Sequence, residues 1–339
     1  MNHRIFVAFF VCLFFSANGD LLHADDLVGA AWKSENVSLP EGKIAYIDPK
    51  EGTIYEVNLD GLVTWKYQIP SKIRDKGDMR KGADIEWLDE QDHFLFVVPG
   101  GGIYEVNRKK EIVWFYETDS VSHDADRLPN GNTIFVNAWD KEGDNQVVEI
   151  APDGKKVFEW KIADSGVSCA EKYTSCNRPK RRGGPPGDYT HVNAVQKLED
   201  GSFSVSLRNL NTVVLIAKDL KIIERHQRIR LVHDPRLESG KLVAIARRSA
   251  LLVRDRKPNT TKGDGSHYFK YSKKGYSFLR TNERISADLI LLTDSTHLLV
   301  FDRSSKKLVW KMKLNGFGHQ KENKNMPFLY KAAWIGARK

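Results

Sequence analysis

The chain has 339 residues, 41% of them hydrophobic, enough to bury the core of one large β domain. Beyond the N-terminus no stretch is long and apolar enough to span a bilayer. A formal net charge of +9 favours anionic small molecules or polysaccharides as partners, and export from the cell makes nucleic acid a poor candidate.

Residues 1–24 read as a secretory signal peptide: a basic start at Met1–Arg4, the short apolar run "IFVAFFVCLFF" and a small-residue end. Cleavage falls near Gly19 or Ala24, and a secreted or periplasmic location follows. Residues 25–42 form a lead-in. Cys12 leaves with the leader, so the mature chain keeps Cys169 and Cys176, an even pair expected to form one disulfide in an oxidising compartment. Two cysteines without an interleaved histidine make a poor zinc site. Asn36 and Asn259 head glycosylation sequons that matter only in a glycosylating host.

From residue 43 onward a unit recurs. "IYEVNLDGLVTWKY" (Ile54–Tyr67), "IYEVNRKKEIVWFY" (Ile103–Tyr116) and "VVEIAPDGKKVFEWK" (Val147–Lys161) each read strand, polar turn, strand. "VVLIAKDLKIIERH" (Val213–His226), "LLVRDRKP" (Leu251–Pro258) and "LLVFDRSSKKLVWKM" (Leu298–Met312) complete six copies. Most are preceded by another hairpin, such as "DADRLPNGNTIFVN", "NAVQKLEDGSFSVSL" or "DPRLESGKLVAIA". Four short antiparallel strands at a propeller-blade period predict an all-β, six-bladed β-propeller over residues 43–339. Insertions are expected at 165–190, which holds the cysteine pair and the basic run "RPKRR", and at 257–284. The strand-ending tryptophans are expected to pack between blades.

Aligning the blades on the start of their first strand places His123, His191 and His233 in one register, at one mouth of the channel. On the returning strands Arg208, and with it Arg247 and Asn137, reach the same face, while Asn193 lies two residues past His191. A single histidine at a strand end ordinarily serves packing. Three converging imidazoles beside an arginine are costly in a closed channel unless an anion or a proton transfer uses them. A facial three-histidine metal site is the competing arrangement, and the arginine opposes it by repelling a cation.

The segments "HDADRLPNGNTIF", "DYTHVNAV", "SLRNLNTVVLI" and "VHDPRLESGKL", with Trp-ended strands between them, resemble the bacterial aryl-sulfate sulfotransferases, enzymes independent of the PAPS donor. The resemblance runs from about Gly42 to "YKAAW" (Tyr330–Trp334). It implies sulfuryl transfer from a phenolic sulfate to a phenol acceptor through a sulfated histidine, with no cofactor and no metal. Carried over by motif, His233 is the nucleophile, while His191, Asn193 and Arg208 hold the sulfuryl oxygens. His123 completes the cluster as proton donor or oxyanion ligand. The chain departs from the family in several respects, among them an irregular blade five and a blade six, "ERISADLILLTDSTHLL", without the usual Pro-Asn-Gly hairpin. It lacks the N-terminal dimerisation domain of some members, which makes a monomer the expectation. Its cysteine pair precedes His191, where the family would place a loop disulfide before the last histidine. The alternative from another class is a non-catalytic propeller binding anionic or sulfated glycans at the same mouth. A quinone-cofactor propeller finds no paired-carboxylate or calcium-ligand pattern in support.

Overall fold

The hairpin units become six antiparallel sheets arranged as the blades of a propeller. The computed structural model describes residues 27–35, 37–137, 145–165, 190–256, 267–270, 278–318 and 327–336. The signal peptide, Cys169, Cys176, Asn36 and Asn259, like most of the 165–190 insertion, lie outside the described residues.

A first strand, β1 (Gly29–Lys33), precedes blade one, which holds β2 (Lys43–Asp48), β3 (Thr53–Asn58) and β4 (Val63–Gln68). Blade two is β5 (Asp84–Leu88), β6 (His93–Val98), β7 (Gly102–Val106) and β8 (Ile112–Tyr116). Blade three is β9 (Ala125–Arg127), β10 (Thr133–Val136), β11 (Asn145–Ile150) and β12 (Lys156–Lys161). Blade four is β13 (Val192–Lys197), β14 (Phe203–Leu207), β15 (Thr212–Ile216) and β16 (Ile222–His226). Blade five is β17 (His233–Glu238), β18 (Lys241–Ala246), β19 (Ala250–Asp255) and β20 (His267–Lys270). Blade six is β21 (Asn282–Arg284), β22 (Leu289–Thr293), β23 (His297–Asp302) and β24 (Lys307–Leu314). The last strand, β25 (Ala332–Ile335), returns to blade one as its inner strand, pairing Ala333 with Ala45.

Two segments differ from the sequence reading. The lead-in is partly structural, because β1 adds a fifth strand to the outer edge of blade six. The 257–284 segment is no simple insertion, since it supplies the outer strand of blade five and begins the inner strand of blade six. Both ends of the chain thus close the ring, one through β25 and the other through β1.

Burial follows from stacking. Strands in the middle of a blade have neighbouring blades on both faces, so β7 is buried at every position. The outer strand β8 has a free face, and its burial alternates along Ile112–Tyr116 with the two-residue period of the pleat. The strand-ending tryptophans do pack between blades: the Trp65 indole N–H donates to Arg108 O (3.1 Å) and that of Trp114 to Pro152 O (2.8 Å). Trp310 likewise joins blade six to Leu59 O of blade one (3.0 Å).

Around the axis the inner strands are stitched in sequence by side-chain acceptors. Asp84 accepts from Ala125 N (2.9 Å), Asp124 from Val195 N (2.8 Å) and Gln196 from Leu237 N (2.7 Å). Asp234 accepts from Asn282 N (2.5 Å) and Glu283 from Trp334 N (2.9 Å). Each bond leads from one blade to the next. Lys331, just ahead of β25, completes the circuit by pairing with Asp84 and Asp124, each at 2.8 Å.

Candidate active site

The blade-four hairpin shows how register builds a site. Its turn is made by Leu198 N donating to Ser202 O (2.8 Å) and by Gly201 at φ 81°, a left-handed conformation that glycine tolerates. Val192 then pairs with Leu207. The residues just beyond that pair, His191 and Arg208, therefore leave the two strands at the same end. His233 opens β17 opposite Ile245, and His123 sits two residues before β9.

The rings converge. His123 and His191 have centroids 5.3 Å apart, and His123 is stacked on Tyr330 at 5.0 Å with an 18° interplanar angle. His123 and His233 are buried, at 5% and 2% exposure. Burial and then the neighbouring His191 drive His123 well below the ordinary histidine pKa, with Arg208 and Arg280 adding to it. Burial does the same to His233, followed by Arg280, Arg248 and Arg208. Both rings are therefore neutral near pH 7. The charge of Arg208 bears on His123, His233 and Arg280 alike, which puts it among all three.

The tautomer of His233 follows from one contact. Its Nδ1 lies 2.9 Å from Leu231 O, which can only accept, so Nδ1 carries the proton and Nε2 holds the free lone pair. The Nδ1 of His123 meets Gly82 O at 3.5 Å, at the long end of hydrogen bonding.

The remaining expected residues are placed as follows. Asn193 is buried beside the cluster, with its Nδ2 donating to Val232 O (3.1 Å) and its Oδ1 accepting from Ser206 (2.5 Å), so its amide ties blade four to blade five. Arg247 is exposed, and it is its neighbour Arg248 that joins Arg280 and Arg208 in acting on His233. Asn137 follows β10, and its Nδ2 donates to Asn145 O (2.8 Å).

Three functional candidates escaped the sequence reading: Arg248, Arg280 and Tyr330. Arg280 is enclosed by aromatic rings, its guanidinium carbon 4.9 Å from the Phe328 centroid, 5.8 Å from Phe278 and 6.0 Å from Tyr330. Its Nε is buried with no hydrogen-bond partner among the described residues. Burial, with Arg208 beside it, pushes its pKa down to about 10, while the Tyr330 phenol is pushed above its usual range by burial. A legible signal existed. Gly82, His123, Arg280 and Tyr330 each stand two residues before an inner strand, and His191 and His233 stand one residue before or at the start of theirs. Every blade contributes one residue to this ring. The result is two neutral imidazoles, His123 and His233, beside His191 and among three arginines, a site suited to an anion that spreads charge over several oxygens.

A family model described as Arylsulfotransferase (ASST) matches residues 35–224, more than half of the chain. The chain belongs to the arylsulfotransferase family. The matched segment contains His123, His191 and Arg208 and ends before His233. No curated protein matches the chain. Solved structures similar to this arylsulfotransferase-like propeller include a protein of unknown function from Bacteroides caccae, 12% identical with a TM-score of 0.58, covering 88% of this chain and 100% of that one. A streptogramin B lyase is 12% identical with a TM-score of 0.52, covering 87% and 96%. The virginiamycin B lyase of Staphylococcus aureus is 14% identical with a TM-score of 0.51, covering 83% and 87%. At these identities the likeness shows the propeller fold and carries no function.

Proposed function

We propose that this arylsulfotransferase-family chain moves a sulfuryl group from a phenolic sulfate to a phenol acceptor through a sulfated His233. The observation that carries the reading is the Nδ1–H of His233 held by Leu231 O, which leaves Nε2 as a buried, neutral nucleophile facing arginines. In the first step the Nε2 lone pair forms an N–S bond, the S–O bond to the donor ring breaks, and its electron pair leaves on the phenolate oxygen. The imidazolium formed keeps its Nδ1 proton on Leu231 O. In the second step the acceptor oxygen attacks sulfur, the N–S bond breaks, and its electron pair returns to Nε2. A neutral His123 is suited to take the proton that the acceptor phenol gives up, and less suited to donate one. Arg208, Arg248 and Arg280 stabilise the charge on the sulfuryl oxygens, as cationic clamps do in phosphoryl transfer.

A secreted or periplasmic location with small-molecule phenolic partners completes the proposal. It rests on the leader-like N-terminus and the family's chemistry. Incubating the protein with 4-nitrophenyl sulfate and a phenol acceptor tests it directly. Nitrophenol release that depends on both the acceptor and His233 is expected. No release with any acceptor, together with salt-sensitive binding of sulfated glycans, would instead establish the non-catalytic binding module.

A further inference from the structure

Beneath the mouth lies a second layer of side chains, one or two residues farther along the same strands. Lys331 follows Tyr330 directly, Asp124 follows His123, and Asp84 lies two residues past Gly82. The Lys331 side chain is 6% exposed and its ammonium pairs with Asp84 and Asp124, themselves 1% and 6% exposed at the side chain. Asp126 and Asp234 also face it, and Arg236 faces those two acids. The opposite side of the Tyr330 backbone is fixed as well. Thr293 donates its hydroxyl to Tyr330 O at 2.7 Å, and Leu329 N donates to Ser295 O at 2.9 Å. The dipeptide Tyr330–Lys331 is therefore bonded to blade six on one side and to blades two and three on the other.

We infer that Lys331 is a positioning residue whose two carboxylate partners hold the Tyr330 ring flat against His123. The geometry supports it in three ways. Asp124 carries two loads, Lys331 on one oxygen and Val195 N on the other, so it cannot swing away without opening the blade-three to blade-four stitch. Asp84 is tied likewise to Ala125 N. A buried ammonium between two such fixed acceptors has one position of low energy, because leaving either partner exposes an unpaired buried charge. The ring one residue before it inherits that position. The facing groups around His123 are His191, Arg208, Arg280 and Tyr330, and of these Tyr330 is the one in flat contact with it.

The inference deepens the sulfuryl-transfer reading, since an imidazole that is to receive the acceptor's proton must be held in place. Its primary readout does not depend on turnover. In an NMR spectrum of the full chain, the ring protons of His123 lie over the face of Tyr330 and resonate upfield, with Tyr330→Leu defining the unstacked position. Lys331→Met, shown folded by circular dichroism, should move the His123 signal most of the way to that position. Turnover should then fall by about 10-fold through kcat, with KM little changed. An unmoved His123 signal in folded Lys331→Met overturns the inference. Should that variant not fold, Asp84→Asn removes one anchor, keeps the shape and leaves the Asp124 pair. A smaller shift in the same direction supports the assignment, and none refutes it. A wild-type protein with the stacked His123 signal but no sulfuryl transfer would refute the functional reading alone.

Discussion

The Nδ1 of His233 lies 2.9 Å from Leu231 O, and this contact leaves Nε2 as the nitrogen with the free lone pair, the atom that attacks in the proposed reaction. His233→Ala should lower kcat by roughly 10⁴-fold or more, the scale on which removal of a nucleophile acts in other covalent enzymes. Intact mass of wild-type protein mixed with donor alone should show one added sulfuryl group, absent from the variant. Addition that persists without His233 would assign the nucleophile to His123 or His191.

The depressed pKa of His233 gives the pH profile a definite sign. Attack needs the neutral ring, and burial with Arg280, Arg248 and Arg208 keeps it neutral well below the ordinary histidine value. kcat/KM should stay flat as pH falls through 6.5 and decline only at more acid pH. Arg248→Met removes one opposing charge and should move that acid limb upward. Stability follows the same direction. His123 and His233 bind a proton more readily unfolded than folded, so their contribution is complete above the unfolded pKa of about 6.5. It is lost as pH falls through the folded values. A rate profile with its acid limb at or above 6.5 in the wild type would contradict this account of the site.

Arg280 carries a buried cation whose Nε has no hydrogen-bond partner among the described residues, a cost that a bound anion would offset. Arg280→Met should reduce kcat by about 10²–10³-fold, as removal of one oxyanion donor does elsewhere. The same change should leave the melting temperature unchanged or raise it, since an apolar chain among Phe278, Phe328 and Tyr330 needs no desolvation. A destabilised variant with full activity would make Arg280 a structural cation and remove it from the site.

Much of this was legible in the sequence, for a physical reason. A strand pair joined by a short glycine turn fixes its own register, so the Leu198–Ser202 turn brings the two strand ends together, and a one-residue bulge between Val192 and Val195 then sets His191 beside Arg208. The same logic places His123 and His233. It stops where the repeat is broken by topology. The inner strand of blade one comes from the far end of the chain, so Tyr330 shares no hairpin with β2 that could announce its register. Blade six lacks a Pro-Asn-Gly hairpin, which hid Arg280 in the same way. The sequence pointed to Arg247, whereas it is the neighbouring Arg248 whose charge bears on His233, and the reason is narrower. Both residues lie in the left-handed region, at φ 57° and 58°, where the alternation of a strand no longer says which side chain turns inward. The lead-in strand β1 was missed because its partner, β24, lies nearly three hundred residues away.

Gly82 offers the last test, at the one member of the ring without a side chain. Its φ is 108°, and a Cβ there would stand 2.6 Å from the Nδ1 of His123 and 2.9 Å from a ring carbon of Tyr330. Neither ring is free to yield. Tyr330 is held through its carbonyl by Thr293, and the Asp124 that follows His123 is bound to Lys331. Gly82→Ala should therefore cost about 1–3 kcal/mol from the backbone conformation and the contact together. Thermal melting would record this as a fall of several degrees. The sharper expectation is kinetic. Displacing His123 by a few tenths of an ångström should depress the rate more than the stability loss accounts for, at temperatures where the variant is fully folded. A variant that is destabilised but turns over normally would show that the position of His123 is not critical to the chemistry. Its tight packing between Gly82 and Tyr330 would then serve the fold alone.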